Sequence, residues 1–474
     1  MSTEIANHSS STRSAQLLWR QRPFAEVLRL AWPIAVSLMS FSMMTAVDTL
    51  FIGHLGPSAL AGVALGSSST FTLLCFGMGL LRSTHITIAQ AVGAGQQQRV
   101  LGYLGAGLVV ALGLGLLIAM LGQVVAAFSG VFTASGLSAG FAAEYMRVRV
   151  LGAPLQLCEI AISGARYGSG DSRSSMIAVL TANAVNVALV AFFSLVLHAG
   201  VSGVAAATVM SQGVELFVLA RRQSRDGFGL NLWTQADIRM LLRTGVPLGI
   251  ERFFDVGAFA LMIMLTGRMG DVELASYQIA QQALLFSFMP TIAIGDASTV
   301  LIGQAVGAGS LRTVPRVQRA ALMIALGYVS LCSLTYSTGA QLLAAQFSQD
   351  PEVIGRAVRL MHIAAWFVWI WPVYTIGQAT LRAIGDVRAA SIITVIASWG
   401  CTPLFAAWLG LGLGFGARGS FYGIAVEISL GSLAFWYRIQ GRGGAWVRNL
   451  RRFRAELRRA NRAEPIAREV VVTS

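Results

Sequence analysis

The chain has 474 residues, of which 55% are hydrophobic and only 12% charged, with a mean hydropathy of +0.66. Such a composition excludes an ordinary soluble globular protein and points to an integral membrane protein. The formal net charge of +14 comes from 35 basic residues, all of them Arg, so their placement decides whether they indicate nucleic acid or membrane topology.

A helix needs about 20 apolar residues to cross a bilayer. Runs of that length appear at 27–52, 59–82, 100–127, 141–164, 174–197, 201–220, 241–266, 274–304, 317–345, 353–378, 389–411 and 419–437. The fold class expected is all-α, a polytopic membrane protein with twelve transmembrane helices. The polar residues 1–26 precede a first run that is too long, and too lacking in a small-residue cleavage site, for a removed signal peptide. The first helix is therefore expected to stay in the mature chain.

With that helix running outward, one set of loops carries Arg99, Arg166, Arg173, Arg221, Arg222, Arg225, Arg239, Arg312, Arg316, Arg319, Arg382 and Arg388. The opposite set carries little beyond Arg268 and Arg418. This asymmetry follows the positive-inside rule and places both termini in the cytoplasm. The charge reports topology, and no nucleic-acid partner is expected. Ten more Arg after Tyr437 make the tail, 438–474, either a segment lying on anionic lipid headgroups or a solvated one. Cys75, Cys158, Cys332 and Cys401 fall inside the spans without CxxC spacing, so neither disulfide nor zinc site is indicated.

The chain repeats itself. IAQAVGAG at 88–95 recurs as IGQAVGAG at 302–309, an offset of 214 that also maps LRLAWP at 28–33 onto LRTGVP at 242–247 and GHLGPSALA at 53–61 onto GRMGDVELA at 267–275. GDSR at 170–173 answers GDVR at 385–388 with a shift of one. Two pseudo-symmetric six-helix bundles are expected, an N-lobe at 27–220 and a C-lobe at 241–437, in parallel orientation, with substrate between them. The linker 221–240 is charged and contains Trp, which suits either a short amphipathic segment at the membrane surface or a solvated connector.

Ionisable residues within the spans are the candidate functional groups, because hydrocarbon rejects them unless they have a partner. Asp48 stands in TAVDTLFIGHLG about four residues from the outer end of its helix, and its counterpart at offset 214 is Met262. It serves either the first lobe alone or an interfacial contact made by snorkelling. Asn183 and Asn186 lie one turn apart on the fifth helix, where amides either attend a carboxylate or join helices. Glu251 and Asp255 sit at i and i+4 on the seventh, with Arg252 beside them. Two carboxylates in low dielectric cannot both stay ionised without a cation, so they form a coupling site or an ion network with Arg252. Asp296 occupies the place that matches Arg82, and with His85 these suggest a gate or a pair between the lobes. Glu159, Glu215 and Glu427 stand without evident partners. Pro33 and Pro247, at matching places, would bend the first and seventh helices.

LAWP with AVDTLFIGHLGPSALAG, then AQAVGAG, GARYGSGDSR, GVSGVAAATVMSQ, LRTGVP, GQAVGAG and LRAIGDVR, resemble in order and spacing the multidrug and toxic compound extrusion (MATE) family over residues 25–437. The resemblance implies a V-shaped pair of bundles in the bacterial inner membrane. It implies an antiporter that exports organic, often cationic, amphipathic compounds against entering H⁺ or Na⁺, with no other cofactor, working among membrane lipids as a monomer. The family's first-helix acid matches Asp48. The family's helix-five pair lies at i and i+4, and here the second member matches Asn186 while the first falls on Ala182, with Asn183 adjacent; a Na⁺ ion would be assigned to Asp48 and Asn186. Asp255 matches the family's second-lobe acid, and the partner acid in helix ten falls on Trp371.

The alternative is a flippase for a lipid-linked precursor, which calls for a basic central cavity, whereas few Arg beyond Arg82, Arg147, Arg149 and Arg252 fall inside the spans. An enzyme is not expected: no GxSxG, HExxH or phosphate loop is found, and His8, His54, His85, His198 and His362 are scattered. A filter-like repeat of the channel type is also lacking. Cavity walls of Phe, Met, Trp and Leu are expected to accept many amphipathic molecules.

Overall fold

A computed structural model describes residues 22–128, 130 and 136–441. The expected N-terminal segment 1–26 and the Arg-rich tail fall largely outside the described residues. Twelve long helices follow one another. The first six are α1 (Pro23–Gly53), α2 (Pro57–Gly93), α3 (Gln97–Ala127), α4 (Gly136–Gly168), α5 (Ser172–Val196) and α6 (Gly200–Gln223). The second six are α7 (Gln235–Gly267), α8 (Asp271–Gly307), α9 (Leu311–Thr338), α10 (Pro351–Ala383), α11 (Val387–Gly412) and α12 (Ala417–Gln440). A short helix, Ala340–Ala345, lies between α9 and α10.

Ten of the twelve are long and apolar enough to span a membrane. The apolar runs of α7 and α12 are interrupted, by Glu251, Arg252 and Asp255 in the one and by Glu427 and small polar residues in the other. Pro33 and Pro247 lie inside α1 and α7 as expected, and the Ser37 hydroxyl donates to the Pro33 carbonyl at 2.9 Å.

The repeated GDxR motif has a local physical basis. Gly170 and Gly385 both take φ of +86°, the left-handed conformation that ends a helix most cheaply with glycine. The following acid then opens the next helix: Asp171 accepts from the Ser174 amide at 3.1 Å and caps α5. Arg166 donates to the same carboxylate at 2.5 Å. Partial burial would raise the Asp171 carboxyl, but the Ser174 hydroxyl and the Arg166 guanidinium outweigh it and hold the group below the usual carboxylate range.

The halves exchange their first helices. α1 packs on α5 of its own half and on α8 of the other, just as α7 packs on α11 and on α2. The closest backbone approaches lie towards the arginine-rich end, where α2 meets α7 and α8. A Cβ on Gly93 would stand 2.0 Å from the Gln304 carbonyl oxygen, and one on Gly307 would stand 2.0 Å from that of Gln90. Those four residues are two symmetric pairs at offset 214. The same two glutamines cross between halves: Gln90 Nε2 donates to the Ala383 carbonyl at 2.8 Å and Gln304 Nε2 to the Gly168 carbonyl at 3.0 Å.

Between α6 and α7 the linker residues 224–234 are non-helical and cross α3, where the Gly229 and Leu101 backbones touch, before Thr234 and Asp237 cap α7 reciprocally. One expectation needs correction. The arginine-poor end carries more than Arg268 and Arg418, since α10 begins there with Arg356 and Arg359. Arg356 pairs with Glu273, whose other oxygen accepts from the Ala417 amide at 2.6 Å.

Gly93→Ala and Gly307→Ala are each expected to lower stability by about 1–3 kcal/mol through overpacking. Thermal unfolding of the detergent-solubilised protein checks this, and unchanged midpoints in both variants would contradict the close packing of α2 on α8.

Candidate functional site

Asp48 sits five residues before the end of α1, and its side chain turns into the first six helices instead of snorkelling outward. Its Oδ2 accepts from the Thr208 hydroxyl of α6 at 3.2 Å. Its Oδ1 is buried and has no hydrogen-bond partner among the described residues. Asn186 of α5 is fully buried, and its side-chain amide lies beside the Asp48 carboxyl and acts on it.

A fixed cation stands behind this group. Arg149 of α4 acts on Asp48 through space without forming an ion pair with it. Its guanidinium donates to Gln212 Oε1 of α6 at 3.1 Å and to Gln156 Oε1 of α4 at 3.3 Å. Tyr145 of α4 lies close to both Arg149 and Asp48. Asn183 points elsewhere: its amide donates to the Ser40 carbonyl at 2.9 Å and also contacts the Ser40 hydroxyl, which ties α5 to α1.

The acids of the second half are neutralised differently. Glu251, 3% exposed, pairs with Arg382 of α10 and accepts from Gln378 Nε2 at 3.1 Å and from the Ser391 hydroxyl at 2.6 Å. Glu251 thus takes its ion pair from α10, while Arg252 and Asp255 act on one another through space. Arg252 lies with its guanidinium 5.9 Å from the centre of the Phe71 ring on α2, and Asp255 has no ion pair within 4 Å. One turn of α7 separates Glu251 from Asp255 in height, and Arg382 reaches only the former. Glu427 accepts from the Thr402 hydroxyl. Trp371, at the place of the family's helix-ten acid, is stacked between Phe288 at 4.1 Å and Tyr374 at 5.4 Å. An aromatic layer occupies the space that a second carboxylate would need.

Arg82 and Asp296 form an ion pair between the halves. They are counterparts at offset 214, and symmetry-related residues can touch only close to the axis that relates them. His85 is buried on the same helix, with its ring 5.9 Å from that of Tyr167 and its Nε2 without a hydrogen-bond partner.

At the end opposite the arginines, a groove of about 690 Å³ is lined by Ser42, Thr45, Thr49, Leu50, Gly53 and His54 of α1 and Gln282 of α8. Its lining includes three hydroxyls and an amide beside the apolar surface of Leu50. Ser42, Thr45, Thr49 and Gly53 are three or four residues apart and form one face of α1, while Asp48 turns from that face towards Thr208.

The MatE family model matches residues 33–193 and 247–408, one stretch in each half. The chain belongs to the MATE family of transporters. A probable multidrug resistance protein NorM from Deinococcus radiodurans is 30% identical over 87% of this chain and 95% of its own length. Another, a multidrug resistance protein MdtK from Edwardsiella ictaluri, is 27% identical over 81% of this chain and 86% of its own. Among solved structures, MATE in the bent conformation superposes with a TM-score of 0.84 at 22% identity, covering 93% of this chain and 99% of that one. An outward-facing multidrug resistance MATE family transporter superposes at 0.82 with 21% identity, covering 90% of this chain and 97% of that one. These MATE likenesses bear out the all-α, twelve-helix membrane fold expected from the sequence.

The partners of Glu251 were hidden in the sequence because Arg382 lies 131 positions away. The signal available was a lone Arg in the last turn of α10, four residues after Gln378 and so on the same helix face. Arg382→Ala would leave a buried carboxylate without its cation and is expected to cost about 3–5 kcal/mol, most of it recovered by adding Glu251→Gln. Thermal unfolding of the two variants checks this, and a single variant as stable as the parent would show the pair to be unimportant.

Proposed function

We propose that this chain is a multidrug exporter of the inner membrane, driven by protons that enter through Asp48. The observation that carries the reading is the Asp48 carboxylate, which lies in a membrane-spanning helix with no ion pair within 4 Å and with one oxygen unpartnered. A proton needs a single oxygen and removes the charge outright. A ligand biases a conformational equilibrium only through unequal affinity for the two states. Asp48 meets that condition when it is solvated in one state and enclosed beside Asn186 and Thr208 in the other.

The arginine-rich end is taken as cytoplasmic by the positive-inside rule, with both termini on that side. The close α2–α8 packing then seals the cytoplasmic side, and the groove beside α1 opens outward. In this state a released compound leaves and a proton enters. Inward opening would separate Gly93 from Gln304, Gly307 from Gln90, and Arg82 from Asp296. The Arg82–Asp296 pair is read as a latch on the closed side, with His85 buried next to it. Protonation of Asp48 would favour whichever state encloses it more fully, and deprotonation the state that solvates it.

Relatives named as multidrug resistance proteins support an organic, amphipathic cargo. Organic cations fit the groove, whose hydroxyls and amide present oxygen acceptors and no fixed positive charge. The two lobes, residues 27–220 and 241–437, act as the rocking units, and a single copy with its surrounding lipid contains all the named parts. Na⁺ is the second reading, favoured by the Asn186 amide oxygen, which with Asp48 and Thr208 offers three hard donors.

Reconstituted protein in liposomes, with a fluorescent organic cation and a pH or Na⁺ gradient imposed in turn, is expected to respond to the pH gradient. Asp48→Asn should abolish that response while the protein still folds. Gradient-driven efflux retained in this variant would refute the mechanism.

A further inference from the structure

Glu159 on α4 and Glu215 on α6 stood alone in the sequence, yet the fold brings them together. Their carboxyl groups come within hydrogen-bonding reach of one another, and the Ser163 hydroxyl donates to Glu159 Oε1 at 2.7 Å. The pair stands in register with the layer that holds Arg149. Gln156 and Gln212, which both accept from Arg149, lie three residues before Glu159 and Glu215 on the same two helices. Three residues along a helix amount to about 4.5 Å and return to nearly the same face. A polar column therefore runs between α4 and α6, from Asp48 and Tyr145 through Arg149 and its two amides to the carboxyl pair.

The groups that act on the pair are the two carboxyls themselves, the Ser163 hydroxyl and Tyr167, about two turns further along α4. Beyond Tyr167 lie His85 of α2 and Asp296 of α8, and the Arg166 cluster with Asp171 and Asp226 closes the column at the arginine-rich surface. Among the described residues, no Arg forms an ion pair with either glutamate. Two carboxylates in contact within a low-dielectric region, without a cation, cannot both be ionised, so they share a proton.

We propose that Glu159 and Glu215 form a second proton-holding site in the first six helices, linked to Asp48 through the fixed charge of Arg149. The inference rests on the proton reading of Asp48. While Asp48 is ionised it balances Arg149. When Asp48 takes up a proton, the net charge of the column rises by one, and release of the pair's shared proton towards the arginine-rich face restores it. One proton is bound at a carboxylate oxygen of Asp48 and one O–H bond breaks at the pair, so charge and protons balance.

Infrared difference spectra between acid and alkaline conditions, taken on the full-length protein in lipid, test the site directly. A protonated-carboxyl band that disappears in both Glu159→Gln and Glu215→Gln but persists in Asp48→Asn is expected. In liposomes each glutamine variant should slow pH-driven efflux by about tenfold or more, since a positioned proton-transfer group contributes at least that. Exchange of the organic cation across liposomes without any gradient should be unchanged, and the double variant should be no slower than either single one. Carboxyl bands unaffected by both substitutions would overturn the proposal, as would loss of gradient-free exchange, which would make the pair structural. If Asp48→Asn transports normally while the band behaves as expected, the failure lies with the Asp48 reading instead.

Discussion

The cost of an unneutralised charge away from water governs the interior of this protein. Each acid within the helices meets that cost differently. Glu251 has a guanidinium and two further donors, and Asp296 has Arg82. Glu427 has a hydroxyl, and Glu159 has Glu215 together with Ser163. Asp48 has one hydroxyl, an amide beside it, and a cation held off by two glutamines, with no ion pair among the described residues. A permanently paired acid is fixed in its charge state, whereas one left incomplete can change it. That incompleteness distinguishes Asp48 from Glu251, although both are carboxylates on the first helix of a half.

Duplication explains why the contacts between halves are so regular. Helices that derive from one ancestor meet their own images across an axis, so a single geometric solution is used twice: Gly93 on Gln304 and Gly307 on Gln90, Gln90 on the turn after α10 and Gln304 on the turn after α4. Glycine permits the backbones to meet in a membrane, where packing and hydrogen bonds replace the hydrophobic drive between helices. Arg82 and Asp296 break the symmetry at the axis itself. Identical residues there would face each other with like charge, so the one position that cannot be duplicated unchanged became a pair of opposites.

The spans, the repeat and the isolation of Asp48 were legible because they depend on composition and on offsets along the chain. Arg82 with Asp296 was legible for the same reason, since both lie on the repeat diagonal. Glu159 with Glu215 and Glu251 with Arg382 were not. In a helix apolar nearly all round, periodicity does not say which face turns inward, so a pair on two such helices cannot be matched without their rotations. Asn183 shows the same limit: its spacing from Asn186 placed both on one face, but Ser40 of α1 lies opposite the first and Asp48 opposite the second.

Unequal halves give such a transporter its direction. Trp371 fills the second half with a stack of rings where an acid would make a second ion site, and Glu251 is locked to Arg382. The first half keeps its polar groups in a column between α4 and α6, with amides and hydroxyls that can change partners as charge appears or disappears. An ion that acted equally on both halves would leave their relative energies unchanged, so a coupling charge confined to one half is what lets proton entry select one tilt over the other.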